Sequence, residues 1–160
     1  MGLFSFLSKP KVKTRQPMSK CSFVIFSDKT EVQQGEDIHF TIGICNKGSY
    51  DVEIGLMECF IDYDAEQIDY KGFDDKIGGT KITFPSKRGS FWNARVSRLG
   101  TGHIIPADST YVIGTVTMST ADMSKTGEYP ICLLECQICS YEGFDLLIPH
   151  QSNTLVFNIK

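Results

Sequence analysis

Glu36-Asp37-Ile38-His39-Phe40-Thr41-Ile42-Gly43-Ile44 carries apolar side chains at every second position, Ile38, Phe40, Ile42 and Ile44, with polar or small residues between them. That is the period of a β-strand with one buried face. Turn residues bracket it, Gln34-Gly35-Glu36 before and Asn46-Lys47-Gly48-Ser49 after, so both ends are punctuated. Outward from this strand the pattern repeats. Segments rich in β-branched and aromatic residues at Ser22–Phe26, Val52–Tyr63, Lys81–Phe84, Ser90–Val96, Thr110–Met118, Tyr129–Ser140 and Thr154–Ile159 are separated by Gly, Asp, Asn, Ser and Pro clusters.

No window of a dozen residues keeps an i, i+3, i+4, i+7 apolar pattern; single helical turns are predicted only around Ala65–Tyr70 and at the extreme N-terminus. Many short strands with turn residues between them predict an all-β sandwich or barrel rather than βαβ units. The 160 residues match one ordinary domain, 41% hydrophobic and 22% charged, far from the composition of a disordered chain.

Charge is distributed unevenly. Residues 1–20 hold Lys9, Lys11, Lys13, Arg15 and Lys20 and no acid, although the whole chain has a net charge of −3. A basic tail with an apolar tip over residues 1–20 is therefore expected ahead of an acidic β-sandwich domain over residues 21–160. Such a body has no attraction for nucleic acid, so no specific nucleic acid partner is expected. No run approaches the ~20 apolar residues of a spanning helix. The apolar start is shorter than a secretory h-region of ~7–15 residues, and its charges follow rather than precede it. A cytoplasmic chain with its six cysteines reduced is the expectation.

Three passages carry a family resemblance. Thr30-Glu31-Val32-Gln33-Gln34-Gly35-Glu36-Asp37-Ile38-His39-Phe40-Thr41-Ile42 followed by Asn46-Lys47-Gly48, then Cys59-Phe60-Ile61-Asp62-Tyr63-Asp64-Ala65-Glu66-Gln67-Ile68-Asp69-Tyr70, and Ala121-Asp122 through Gly127-Glu128-Tyr129-Pro130-Ile131 resemble bacterial immunoglobulin-like and cohesin-like modules. The resemblance covers about a third of the chain. It implies an immunoglobulin-like antiparallel β-sandwich of about eight strands, with a tyrosine corner before the penultimate strand. It also implies a module of a kind that binds a protein partner, dockerin in the case of cohesins. The inter-sheet disulfide of antibody domains is not expected, because Trp92 lies far from Cys45 and Cys132 follows Tyr129 by three residues.

Cys136-Gln137-Ile138-Cys139 has the spacing of a zinc knuckle or redox motif. On a strand, residues three apart face opposite ways, so Cys136 is expected inward with Cys132, Leu134 and Ile138, and Cys139 outward. Buried thiols are the reading, with no zinc and no other cofactor. Asp62, Asp64, Glu66 and Asp69, with Asp74 and Asp75 beyond, form an acidic run that suggests a calcium loop. It fails as an EF-hand: counted from Asp62, position six is Gln67 and position twelve is Phe73. A solvated acidic loop is the alternative. No serine elbow, phosphate-binding loop, zinc-protease helix or cysteine-protease neighbourhood occurs, so no catalytic residue is assigned and no enzyme is expected.

The leading functional expectation is a non-catalytic protein–protein interaction module with Tyr70, Phe73, Phe91, Trp92 and Tyr141 as candidate contacts, since aromatic residues dominate binding hot spots. Two alternatives stand beside it: a structural subunit of a capsid, tail or sheath, and a calcium-supported carbohydrate-binding module. In the tail, Leu3, Phe4, Phe6 and Leu7 followed by Lys9, Lys11, Lys13 and Arg15 suit either peripheral contact with an anionic membrane or a contact between subunits of a homo-oligomer.

Overall fold

The computed structural model describes residues 20–83, 94–140 and 150–160. Ten strands make two facing sheets: β1 (Cys21–Phe26), β2 (Glu31–Val32), β3 (Asp37–Asn46), β4 (Val52–Asp62), β5 (Asp69–Asp75), β6 (Lys81–Thr83), β7 (Ala94–Ile105), β8 (Ser109–Ser119), β9 (Gly127–Ser140) and β10 (Leu155–Ile159). One sheet has the order β1-β3-β8-β5 and the other β2-β10-β9-β4-β7-β6. Among the described residues no helix is long and apolar enough to cross a membrane. The β-sandwich expected from the sequence is present. The tail expected over residues 1–20 lies outside the described residues except for Lys20.

The alternation that announced β3 places Ile38, Phe40, Ile42 and Ile44 fully inside, facing Met57, Cys59 and Ile61 of β4 and Leu133, Cys136 and Ile138 of β9 across the sandwich. Each such side chain contributes about 1.5–3 kcal/mol on leaving water. Among the described residues three polar ones are buried with them, and hydrogen bonds account for each. Asn46 Nδ2 donates to the carbonyls of Tyr50, Ile105 and Pro106 while its Oδ1 accepts from Gly48 N, which pins the turn after β3 to the β7–β8 turn. Thr120 Oγ1 donates to Glu36 O and accepts from Gly35 N, holding the turn before β3. Ser152 Oγ accepts from Leu133 N. The expected tyrosine corner is formed: Tyr129 Oη donates to Lys125 O.

Three features differ from the sequence expectation. β2 pairs with β10 in parallel, Asn158 with Glu31 and Ile159 with Val32, so the chain leaves the first sheet after Phe26 and joins the second. Asp69–Asp75 is a strand rather than the end of an acidic loop. Its apolar residues Tyr70 and Phe73 are three apart because the register against β8 slips between Tyr70 and Gly72, which erases the period of two. The single turn expected around Ala65–Tyr70 is present ahead of it and ends before Asp69, with Gln67 N and Ile68 N both donating to Asp64 O. β7 runs on to Ile105, nine residues past Val96, where the expected strand ends. Phe84 and residues 90–93, at the ends of two expected strands, lie outside the described residues.

Candidate protein-binding face

The two sheets present different chemistry outward. On the four-stranded sheet the outward positions are Asp37, His39 and Thr41 of β3, Thr115, Thr117 and Ser119 of β8, and Lys71 and Asp74 of β5. Six of these eight pair with one another. His39 Nδ1 lies 3.0 Å from Thr117 Oγ1, Thr41 Oγ1 lies 3.3 Å from Thr115 Oγ1, and Lys71 Nζ donates to Asp37 Oδ2 at 2.6 Å. Apolar side chains on this face, Val24, Phe26 and Val112, gather around Gly43 of β3.

The outward side of the six-stranded sheet is apolar through its middle. Since Met57, Cys59 and Ile61 face the core, Leu56 and Phe60 of β4 turn outward, half-buried. Phe60 pairs across the strands with Leu134 of β9, and Leu56 with Cys139. Such directly opposed pairs pack side by side. Between them Glu58 opposes Gln137, which sets polar groups at the centre of the strip. Ile104 of β7 and Val156 of β10, 57% and 47% exposed, extend the apolar character to both flanks.

A bulge decides which side chains reach this face. Glu58 pairs with Gln137 and Phe60 with Leu134, so Cys59 alone opposes Glu135 and Cys136; Glu135 takes the extra residue in the left-handed region at φ 47°. Below the bulge Ile131 and Leu133 face inward, above it Cys136 and Ile138. The expectation that Cys132 and Leu134 share the inner face with Cys136 is therefore corrected: the inserted residue turns both outward. Cys136 inward and Cys139 outward stand as expected. Cys132 is nonetheless covered, its thiol 4.0 Å from Asp62 Oδ2 and accepting from Gln151 Nε2 at 3.6 Å.

Thiol chemistry follows burial. Burial first, then the charge of Asp62, raises Cys132; burial first, then Cys45, raises Cys21 to about 11; burial and the Cys136 thiol raise Cys59 well above its ordinary value. An activated thiol shows the opposite shift. Among the described residues no three His, Cys, Asp or Glu side chains converge as a metal site. Of the acidic run, Asp64 Oδ1 accepts from Glu66 N within its own turn, while Asp62 ends β4 and Asp69 begins β5.

Tyr70 and Phe73, proposed contacts in the sequence, lie on the inward side of β5, half-buried against the core. Phe91, Trp92 and Tyr141, together with Leu3, Phe4, Phe6, Leu7, Lys9, Lys11, Lys13 and Arg15, lie outside the described residues. The outward strip on β4 and β9 was missed in sequence. Leu56, Phe60 and Leu134 sit in nearly continuous apolar runs, and a strand apolar on both sides was the available signal.

No family model and no curated protein matches the sequence. Solved structures match the fold. A cohesin module from a family 33 glycoside hydrolase of Clostridium perfringens is 16% identical, with a TM-score of 0.65 over 89% of this chain and 98% of that one. The fold is cohesin-like. A type I cohesin–dockerin complex from Clostridium thermocellum matches with 14% identity and a TM-score of 0.65 over 88% of this chain and 99% of that one. A non-cellulosomal cohesin from the archaeon Archaeoglobus fulgidus matches with 12% identity and a TM-score of 0.60 over 88% and 92%.

Proposed function

We propose that this domain is a non-catalytic protein-binding module of the cohesin–dockerin type, docking its partner on the outward face of the six-stranded sheet around Leu56, Phe60 and Leu134. The observation that carries the reading is the contrast between the two outward faces. One carries a lattice of paired Thr, His, Lys and Asp beside a small apolar cluster at Phe26 and Val112; the other is an apolar strip with Glu58 and Gln137 at its middle. Protein interfaces favour that second composition, an apolar centre with a few directional polar groups. Several of the structurally similar cohesins are complexes with dockerins, which supports a protein as the ligand. The raised thiols of Cys21, Cys59 and Cys132 argue against a cysteine nucleophile.

Affinity capture with the immobilised full chain, run beside a Leu56→Lys/Leu134→Lys variant, tests the reading. A protein retained by the wild type and lost with the folded variant is expected. The same proteins retained by both would overturn the assignment of the face.

A further inference from the structure

Cys59 of β4 and Cys136 of β9 are both fully buried, and they meet at the bulge, where Cys59 stands opposite Glu135 and Cys136. The left-handed Glu135 turns Cys136 toward the core on the same side as Cys59, near enough that the Cys136 thiol adds to burial in raising that of Cys59. Opposed residues on neighbouring strands hold their Cβ atoms about 4.5–5.5 Å apart, and a disulfide needs about 3.5–4.5 Å. A small local adjustment bridges that difference. The other four cysteines have no such arrangement: Cys21 faces inward while Cys45 of the next strand faces outward, and Cys132 and Cys139 lie far apart along β9.

We propose that Cys59 and Cys136 form a dithiol–disulfide site, closed by exchange with a disulfide co-reactant, an oxidised small thiol or a disulfide oxidoreductase, before β4 and β9 finish pairing. One cysteine thiolate attacks a sulfur of the co-reactant, whose S–S bond breaks and releases one thiolate. The second cysteine then attacks the mixed disulfide, forming the Cys59–Cys136 bond and releasing the other. The two cysteine sulfurs lose two electrons, the co-reactant gains them, and the protons of the two thiols end on the released thiolates.

Folding gates the reaction. Once the sandwich has closed, neither sulfur meets solvent, and burial keeps the Cys59 thiol protonated. The redox state of the surroundings in which the chain folds is therefore retained by the folded domain. The bond would tie together two central strands of the six-stranded sheet and close a loop of more than seventy residues, a constraint that raises Tm by on the order of 10 °C.

The experiment compares two arms of the full chain in one mixture of reduced and oxidised glutathione: chain refolded from the reduced, denatured state, and chain already folded. Peptide mapping by mass spectrometry is expected to find Cys59 joined to Cys136 in the refolded arm, two hydrogens lighter, with Tm higher by about 10 °C until the chain is unfolded in a reductant and refolded. In the folded arm both thiols stay free. Refolded protein with Cys59 and Cys136 unjoined, or with either joined to a different cysteine, would overturn the site. Equal oxidation rates in the two arms would overturn the gating.

Discussion

Asn153 closes its side-chain amide on both backbone groups of Ile25: Ile25 N donates to Asn153 Oδ1 at 2.9 Å, and Asn153 Nδ2 donates to Ile25 O at 2.7 Å. The amide occupies the place of a neighbouring strand's peptide along the outer edge of β1. His150 extends the cover, accepting from Phe23 N at Nε2. The backbone of the same segment belongs to the other sheet, with Cys136 N donating to His150 O, His150 N to Cys136 O, and Ser152 N to Leu133 O. Residues 150–153 thus staple the edge of one sheet to β9 of the other, and they remove an edge that would otherwise invite pairing with another chain.

Asn153→Ala leaves both Ile25 groups to water and is expected to cost about 1–2 kcal/mol in chemical denaturation. Asn153→Asp keeps the acceptor for Ile25 N but sets a carboxylate against Ile25 O, so it is expected to be no better than alanine. An asparagine that merely decorates the surface would change stability by less than about 0.5 kcal/mol.

Gly114 of β8 stands opposite Asp75 of the neighbouring strand β5. A Cβ there would come 2.5 Å from the Asp74 carbonyl oxygen, a backbone atom, besides overlapping the Phe73 ring. Gly114→Ala therefore has to push β5 aside and is expected to destabilise by about 1–3 kcal/mol. Gly72→Ala, on β5 itself, meets nothing within 4 Å and is expected to be neutral. Thermal unfolding of the two variants side by side separates local crowding from a general intolerance of alanine.

The tyrosine corner fixes the entry of β9 through one hydroxyl, from Tyr129 to Lys125 O. Tyr129→Phe keeps the ring against the core and removes only that bond. A loss of about 1 kcal/mol in urea denaturation, with the m-value unchanged, is the expected result.

Asp75 organises the β5–β6 turn by accepting from Ile77 N and Gly78 N at Oδ1 and from Thr80 N at Oδ2. Burial raises its carboxyl, but the backbone hydrogen bonds together outweigh it and hold the group below the usual 3.8. A carboxyl depressed in the folded state stabilises above its unfolded pKa and loses that contribution as pH falls through the folded one. Asp75→Asn is accordingly expected to be less stable than wild type at pH 7, with the gap narrowing below about pH 4. A gap independent of pH would contradict the assignment.

How much was legible in the sequence follows from which periods survived. Ile38, Phe40, Ile42 and Ile44 alternate without interruption, and the strand, its burial and its turns are found as read. Where a bulge intervenes the reading fails in a specific way. At Glu135 the parity of β9 reverses, so Cys132 and Leu134 were assigned to the wrong face, and at Lys71 and Gly72 a strand was read as an acidic loop. The candidate face suffered most, because β4 and β9 are apolar on both sides and composition alone does not say which apolar residue looks outward. The bulge supplies that choice, and it is a property of paired strands that no single segment displays.

The most direct test of the binding assignment is calorimetric titration of a captured partner against two double variants, one on each sheet. Leu56→Lys/Leu134→Lys is expected to raise Kd at least about 30-fold, the loss of roughly 2 kcal/mol that a central contact carries. His39→Lys/Thr117→Lys, on the polar face, is expected to leave Kd within about threefold, since substitutions outside an interface cost well under 1 kcal/mol. The reverse pattern, with binding lost through the polar face and kept through the apolar one, would contradict the account.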